Sequence, residues 1–87
     1  MNTYLLSCDF NNPDRDYSNC YKEMQKYTSL HCFDSTWLIK TNDTIDEIEA
    51  NILSKKGPFE SIVICKVEQP IRGSLSTLQW DWIENNL

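Results

Sequence analysis

Residues 3–10 carry a period of two: Tyr4, Leu6, Cys8 and Phe10 are interleaved with Thr3, Leu5, Ser7 and Asp9, which predicts a first strand. Asn11-Asn12-Pro13-Asp14 then reads as a turn, because Asn and Asp bond their own backbone and Pro fixes its φ. Asp16 suits a helix N-cap, and Tyr17, Cys20, Tyr21, Met24 and Tyr27 follow at helical spacing as one apolar stripe. After Thr28 the period shortens again. Leu30–Phe33 and Thr36–Thr41 predict two short strands hinged near Asp34-Ser35. Thr44 with Glu47 forms a capping-box pattern, so a second helix opens there, with Ile45, Ile48 and Ile52 as its buried face and Gly57-Pro58 as its stop. Ser61–Val67 is a β-branched strand, and Pro70, Arg72 and Gly73 mark a connection. Ser76 with Gln79 repeats the capping box, opening a terminal helix over about residues 76–86 through Trp80, Trp82 and Ile83.

The order is β-α-β-β-α-β plus a C-terminal helix. It predicts an α+β, ferredoxin-like domain spanning residues 1–87, with a four-stranded antiparallel sheet and two helices on one face. If Tyr4, Leu6, Cys8 and Phe10 face those helices, Leu5, Ser7 and Asp9 face the other way. On the third strand Trp37 and Ile39 alternate with Thr36, Leu38 and Lys40, so both sheet faces carry apolar residues. The second face is expected to be covered by the C-terminal helix or by a second subunit.

At 87 residues the chain holds one core. The longest aliphatic run, Ile62–Cys65, is far below the roughly 20 residues of a membrane helix. The N-terminus MNTYLLSCDF lacks the charged start of a signal peptide, so a cytoplasmic protein without membrane contact is expected. Eight Lys and Arg against 13 Asp and Glu give a net charge of −5. That balance disfavours unaided nucleic-acid binding, which needs concentrated basic surface, while leaving a local basic patch open. The four cysteines, at 8, 20, 32 and 65, include no C-x-x-C pair and stand beside one histidine, so reduced, mostly buried thiols are expected rather than a zinc site.

With these elements in place, several motifs resemble the Cas-two family of CRISPR-associated proteins. The nearest likeness is to its small stand-alone, SinR-like relatives, with the VapD toxins as more distant kin. The carrying segments are a strand ending in aspartate (YLLSCDF), a Pro/Asp loop with Arg15, the helix DYSNCYKEMQKY and the strand DSTWLIK. Asp16-Tyr17-Ser18, Ser35-Thr36-Trp37 and Trp80-Asp81-Trp82 match the relatives' D-Y-S, S-T-W and W-D-W motifs. The resemblance implies a homodimer formed through sheet faces or edge strands, with Asp9 beside its symmetry mate at the two-fold. It also implies that paired Asp9 carboxylates would bind Mg²⁺ or Mn²⁺ for phosphodiester cleavage, although several members of that family are structural bridges. The acidic balance departs from a duplex-gripping surface.

The residues allow quieter roles too. Asp9 can end its strand by bonding loop N–H groups, and Asp14 and Asp16 serve as turn and cap residues. Arg15 is either a contact to phosphate or an acidic partner, or a solvated loop residue. His31 and Cys32 are strand neighbours pointing to opposite faces, so they form no nucleophile–base pair, and His31 reads as a structural or interface residue. Lys55 and Lys56 suit the negative end of the second helix. Trp80 groups with Ile83 and Leu87, and Trp82 with Leu75 and Leu78, so one tryptophan is expected in the core and the other free for a partner. Candidate binding residues are therefore Arg15, Trp37, Trp80 and Trp82, and the candidate metal or catalytic residue is Asp9. Two functions follow. One is a non-catalytic homodimeric module that regulates, inhibits or adapts a nucleic-acid-handling or defence complex through a protein partner. The other is a metal-dependent endonuclease.

Overall fold

The computed structural model describes residues 1–9, 18–54 and 61–87. Its elements, in chain order, are β1 (Asn2–Asp9), α1 (Ser18–Gln25), β2 (Thr28–Phe33), β3 (Thr36–Thr41), α2 (Ile45–Leu53), β4 (Ser61–Val67) and α3 (Thr77–Asn86). The two strands with the clearest β-branched patterns, β3 and β4, have the expected bounds, and β2 begins two residues earlier than its apolar run. The expected turn at 11–14, the Asp16 cap and the Gly57-Pro58 stop lie outside the described residues.

The four strands form one sheet in the order β2-β3-β1-β4. Every neighbouring pair is antiparallel, with Leu6 opposite Trp37 and Ile64, and Leu5 opposite Leu38 and Cys65. A strand's period of two then sorts the side chains. Tyr4, Leu6 and Cys8 of β1 join Trp37 and Ile39 of β3 on one face, packed against Met24 of α1 and Ile48 and Ile52 of α2. Leu6, Met24, Ile39, Ile48 and Ile52 are fully buried, making this the principal core.

Both predicted capping boxes are present. Thr44 Oγ1 accepts from the Glu47 N–H at 3.2 Å while Glu47 Oε1 accepts from the Thr44 N–H at 3.2 Å. Ser76 and Gln79 make the same reciprocal pair at 3.2 and 2.8 Å. Each box satisfies two N–H groups that the first helical turn leaves without partners. The β2–β3 hairpin turns at Asp34 and Ser35, neither of which has a positive φ. Such a turn does not match strand twist by itself, and a bulge between His31 and Phe33 takes up the mismatch.

The opposite sheet face is covered by this chain's own α3. Thr3 Oγ1 donates to the Asn86 carbonyl at 2.7 Å, and Gln79 Nε2 donates to the Cys32 carbonyl at 2.8 Å. These bonds fasten the two ends of α3 to opposite ends of the sheet, and Ile83 between them is buried. Two expectations about faces are corrected. Ile45 is 40% exposed, because in the first turn of α2 it lines an open groove beside Ile62, Val63 and Ile64, whereas Ile48 and Ile52 reach the core. Trp80 and Trp82 are both half-buried rather than divided between core and solvent, while Leu78, expected to share the Trp82 stripe, is 80% exposed. The stripe that turns inward is Gln79, Trp82, Ile83 and Asn86, at the i, i+3, i+4 and i+7 spacing of one helix face.

Candidate functional site

β4 and the first turn of α2 form the candidate interaction surface. β4 is an edge strand: among the described residues, none pairs with its outer side. Its sequence SIVICKV is rich in β-branched residues, so its backbone is held extended and presents a row of ready donors and acceptors. Ile62 and Ile64 lean toward the principal core, whereas Val63, 58% exposed, and Cys65 point outward on the other face. Ile45 stands beside this edge. A groove of about 270 Å³ runs between them, floored by Ile62, Val63 and Ile64 and walled by Ile45, Asp46 and Glu49. The exposed apolar side chains on the open edge make a surface that loses water favourably when another strand covers it.

Asp9 ends β1 opposite Ser61 of β4, one strand in from that edge, and is exposed. Among the described residues, no group of three or more His, Cys, Asp or Glu side chains gathers where it could hold a metal ion. Mg²⁺ keeps most of its waters and takes one or two carboxylates, so Asp9 has the chemistry of a single ligand to such an ion. Arg15, Asp14, Asp16, Lys55 and Lys56 lie outside the described residues.

Trp37 is placed in the core rather than at a binding surface. It is 3% exposed because its position on β3 faces the helices, and its indole Nε1 is buried without a hydrogen-bond partner among the described residues. The register sets it opposite His31, and the two rings stack with centroids 4.1 Å apart and planes 11° from parallel. Tyr21 of α1 completes the cluster, 5.4 Å from His31 and 5.9 Å from Trp37. His31 Nε2 lies 2.9 Å from the Asp34 carbonyl oxygen, and since a carbonyl only accepts, Nε2 carries the proton. His31 thus has a structural place on the hairpin. The sequence offered only a partial cue to this stack, a histidine and a tryptophan on either side of the Asp34-Ser35 turn, and the bulge between His31 and Phe33 is what brings them face to face.

All four cysteines are free thiols. Cys8 and Cys20 are buried, and Cys8 is pushed up from 9.0 to about 12 by burial and, secondarily, by the neighbouring Cys20. Burial also raises Cys32. Cys65, on the outer face of β4, is exposed, so the expectation of mostly buried thiols fails at the edge strand.

No family model and no curated protein matches the chain. Neither comparison identifies the family expected from the short motifs. Ser35-Thr36-Trp37 forms the hairpin exit into β3, Trp80-Asp81-Trp82 lies within α3, and of Asp16-Tyr17-Ser18 only Ser18, the first residue of α1, is described. No helix among the described residues is long and apolar enough to cross a membrane.

Proposed function

We propose that the protein is a ferredoxin-like, Cas-two-like protomer that acts as a homodimeric interaction module, regulating or adapting a nucleic-acid-handling or defence complex. The element order β-α-β-β-α-β with β1 between β3 and β4 supports the fold reading, since each helix then connects two parallel strands separated by an antiparallel one. The observation that carries the function is the open edge of β4, with Val63 and Cys65 exposed along it. Natural edge strands are shielded by charge, proline or bulges when they are not used, and the central stretch Ile62–Cys65 has none of these. A second copy adding its own β4 would bury both rows and join two sheets. The acidic wall of Asp46 and Glu49 beside the edge is suited to a basic protein surface, such as the nucleic-acid channel of a partner complex.

The test is the mass in solution of the wild type and of Val63→Lys, by light scattering after size exclusion. A wild-type dimer that becomes a folded monomer in the variant is the expected result; a monomeric wild type up to hundreds of micromolar would remove the reading.

A second reading, a metal-dependent endonuclease, is favoured by the position of Asp9 next to that edge. Paired carboxylates would hold a hydrated Mg²⁺ or Mn²⁺ that polarises a phosphodiester. Incubating RNA and DNA with the verified dimer and either metal, beside Asp9→Asn, decides it: cleavage lost in the variant with the dimer intact establishes the nuclease.

A further inference from the structure

On the sheet face away from α1 and α2, the connection between β4 and α3 leaves a cavity of about 450 Å³. Leu5 of β1 and Thr36 and Leu38 of β3 line it from the sheet, Ile71 and Leu75 from the connection, and Ile83 from α3. That volume lies within the range of small-molecule sites, and its lining is mostly apolar with a few polar groups, as such sites are. The protein interior normally closes apolar space of this size, because unfilled apolar volume forfeits dispersion contacts. Here the connection stands off instead. A Cβ added at Gly73 would meet nothing within 4 Å, and the hydrogen bonds of Ile71 and Arg72 stay inside the connection: Ile71 N–H to Gln69 Oε1 at 3.1 Å and Arg72 Nη1 to the Ile71 carbonyl at 2.8 Å.

The polar chemistry at the mouth is asymmetric. Arg72 lines the cavity and is exposed, so its guanidinium sits where apolar space meets water. In a chain with 13 acidic residues, no carboxylate among the described residues pairs with it. One bond to a backbone carbonyl leaves most of its five N–H donors free for an anion. We infer that this cavity binds a small amphipathic anion, a medium-chain fatty carboxylate, with the hydrocarbon lying against Leu5, Leu38 and Ile83 and the carboxylate on Arg72. The cavity meets β4 at Val67, beyond the exposed Val63 and Cys65, neither of which lines it.

The experiment titrates the full chain with decanoate below its micellar concentration and, separately, with decanol, following methyl resonances by NMR and heat by calorimetry. Decanoate is expected to shift the methyls of Leu5, Leu38 and Ile83. Arg72→Gln, an exposed change that leaves the fold alone, should weaken decanoate by about tenfold and leave decanol unchanged. Thr36→Phe, which fills the cavity from β3, should weaken both. Absence of binding, shifts confined to Val63 and Ile45 on the open edge, or equal decanoate affinity in Arg72→Gln would each overturn the inference. A cavity that accepts decanol and decanoate equally would be an apolar socket for a partner's side chain and not an anion site.

Discussion

Trp37 shows how one position combines a favourable and an unfavourable contribution. Its ring fills the core and stacks on His31, yet its buried N–H has no partner among the described residues. An unsatisfied buried donor costs about 1–3 kcal/mol, so Trp37→Phe, which keeps a ring and removes the donor, should change stability by less than about 1 kcal/mol. Trp37→Ala should lose about 3–5 kcal/mol, comparable to the whole stability of a domain this small. Urea unfolding of the two variants separates these outcomes. The thiols give a second residue-scale prediction. Folded Cys8 keeps its proton to about pH 12, whereas the unfolded thiol loses it near 9.0. Between those values the unfolded state binds fewer protons, so Cys8 makes stability fall as pH rises from 9 toward 12. The urea midpoint of wild type should therefore drop more steeply over that window than that of Cys8→Val. Under native conditions at pH 8, alkylation followed by mass should label Cys65 first and Cys8 and Cys20 only after unfolding, since access as well as ionisation controls thiol reactivity.

Among the elements, α3 depends most on a few bonds. Gln79 serves both the capping box of Ser76 and the carbonyl of Cys32 across the domain. Ser76→Ala removes a cap worth about 1 kcal/mol, and Thr44→Ala should cost α2 a similar amount. Gln79→Ala loses its half of the box together with the tie to β2, so its denaturation midpoint should fall below that of Ser76→Ala. A midpoint equal to Ser76→Ala would mean that the bond to Cys32 contributes nothing. Leu78, on the same helix, is largely exposed, and Leu78→Lys should leave the midpoint unchanged.

For the molecule as a whole, α3 in cis decides which apolar surface is available to partners. It shields Leu38 and buries its own Ile83 on that side, while among the described residues Val63 and Cys65 on β4 and Phe33 on β2 stay exposed at the two edges of the sheet. A chain ended at Ser74 should bind an apolar dye strongly and aggregate, because the whole second face is then exposed. If α3 instead crossed to a second subunit, Ile83→Ala would dissociate the dimer; packed in cis, the change should lower stability and leave the mass to the β4 edge.

Much of the architecture was legible because it is written within a few residues. The two capping boxes are i, i+3 pairs, the strands β3 and β4 announce themselves by β-branched runs, and the alternation in β1 already separates Tyr4, Leu6 and Cys8 from Leu5 and Ser7. Those signals depend on local geometry, which the sequence states directly. The candidate site was less legible, because exposure and proximity depend on residues distant in the chain. Ile45 has the spacing of a core residue and lines an open groove; Trp37 looks like an interface tryptophan and is core because β3 lies between β2 and β1. Gln79 gave no hydropathic sign that it faces inward, since its side-chain partner is a carbonyl on β2, and the tie at Asn86 is made by its backbone carbonyl to the Thr3 hydroxyl on β1. The sequence by itself determined the elements, their order and their caps. Only the tertiary structure decided which strands form the edges of the sheet, which helix covers the second face and where unfilled space remains, because each is set by strand pairing and packing across the chain.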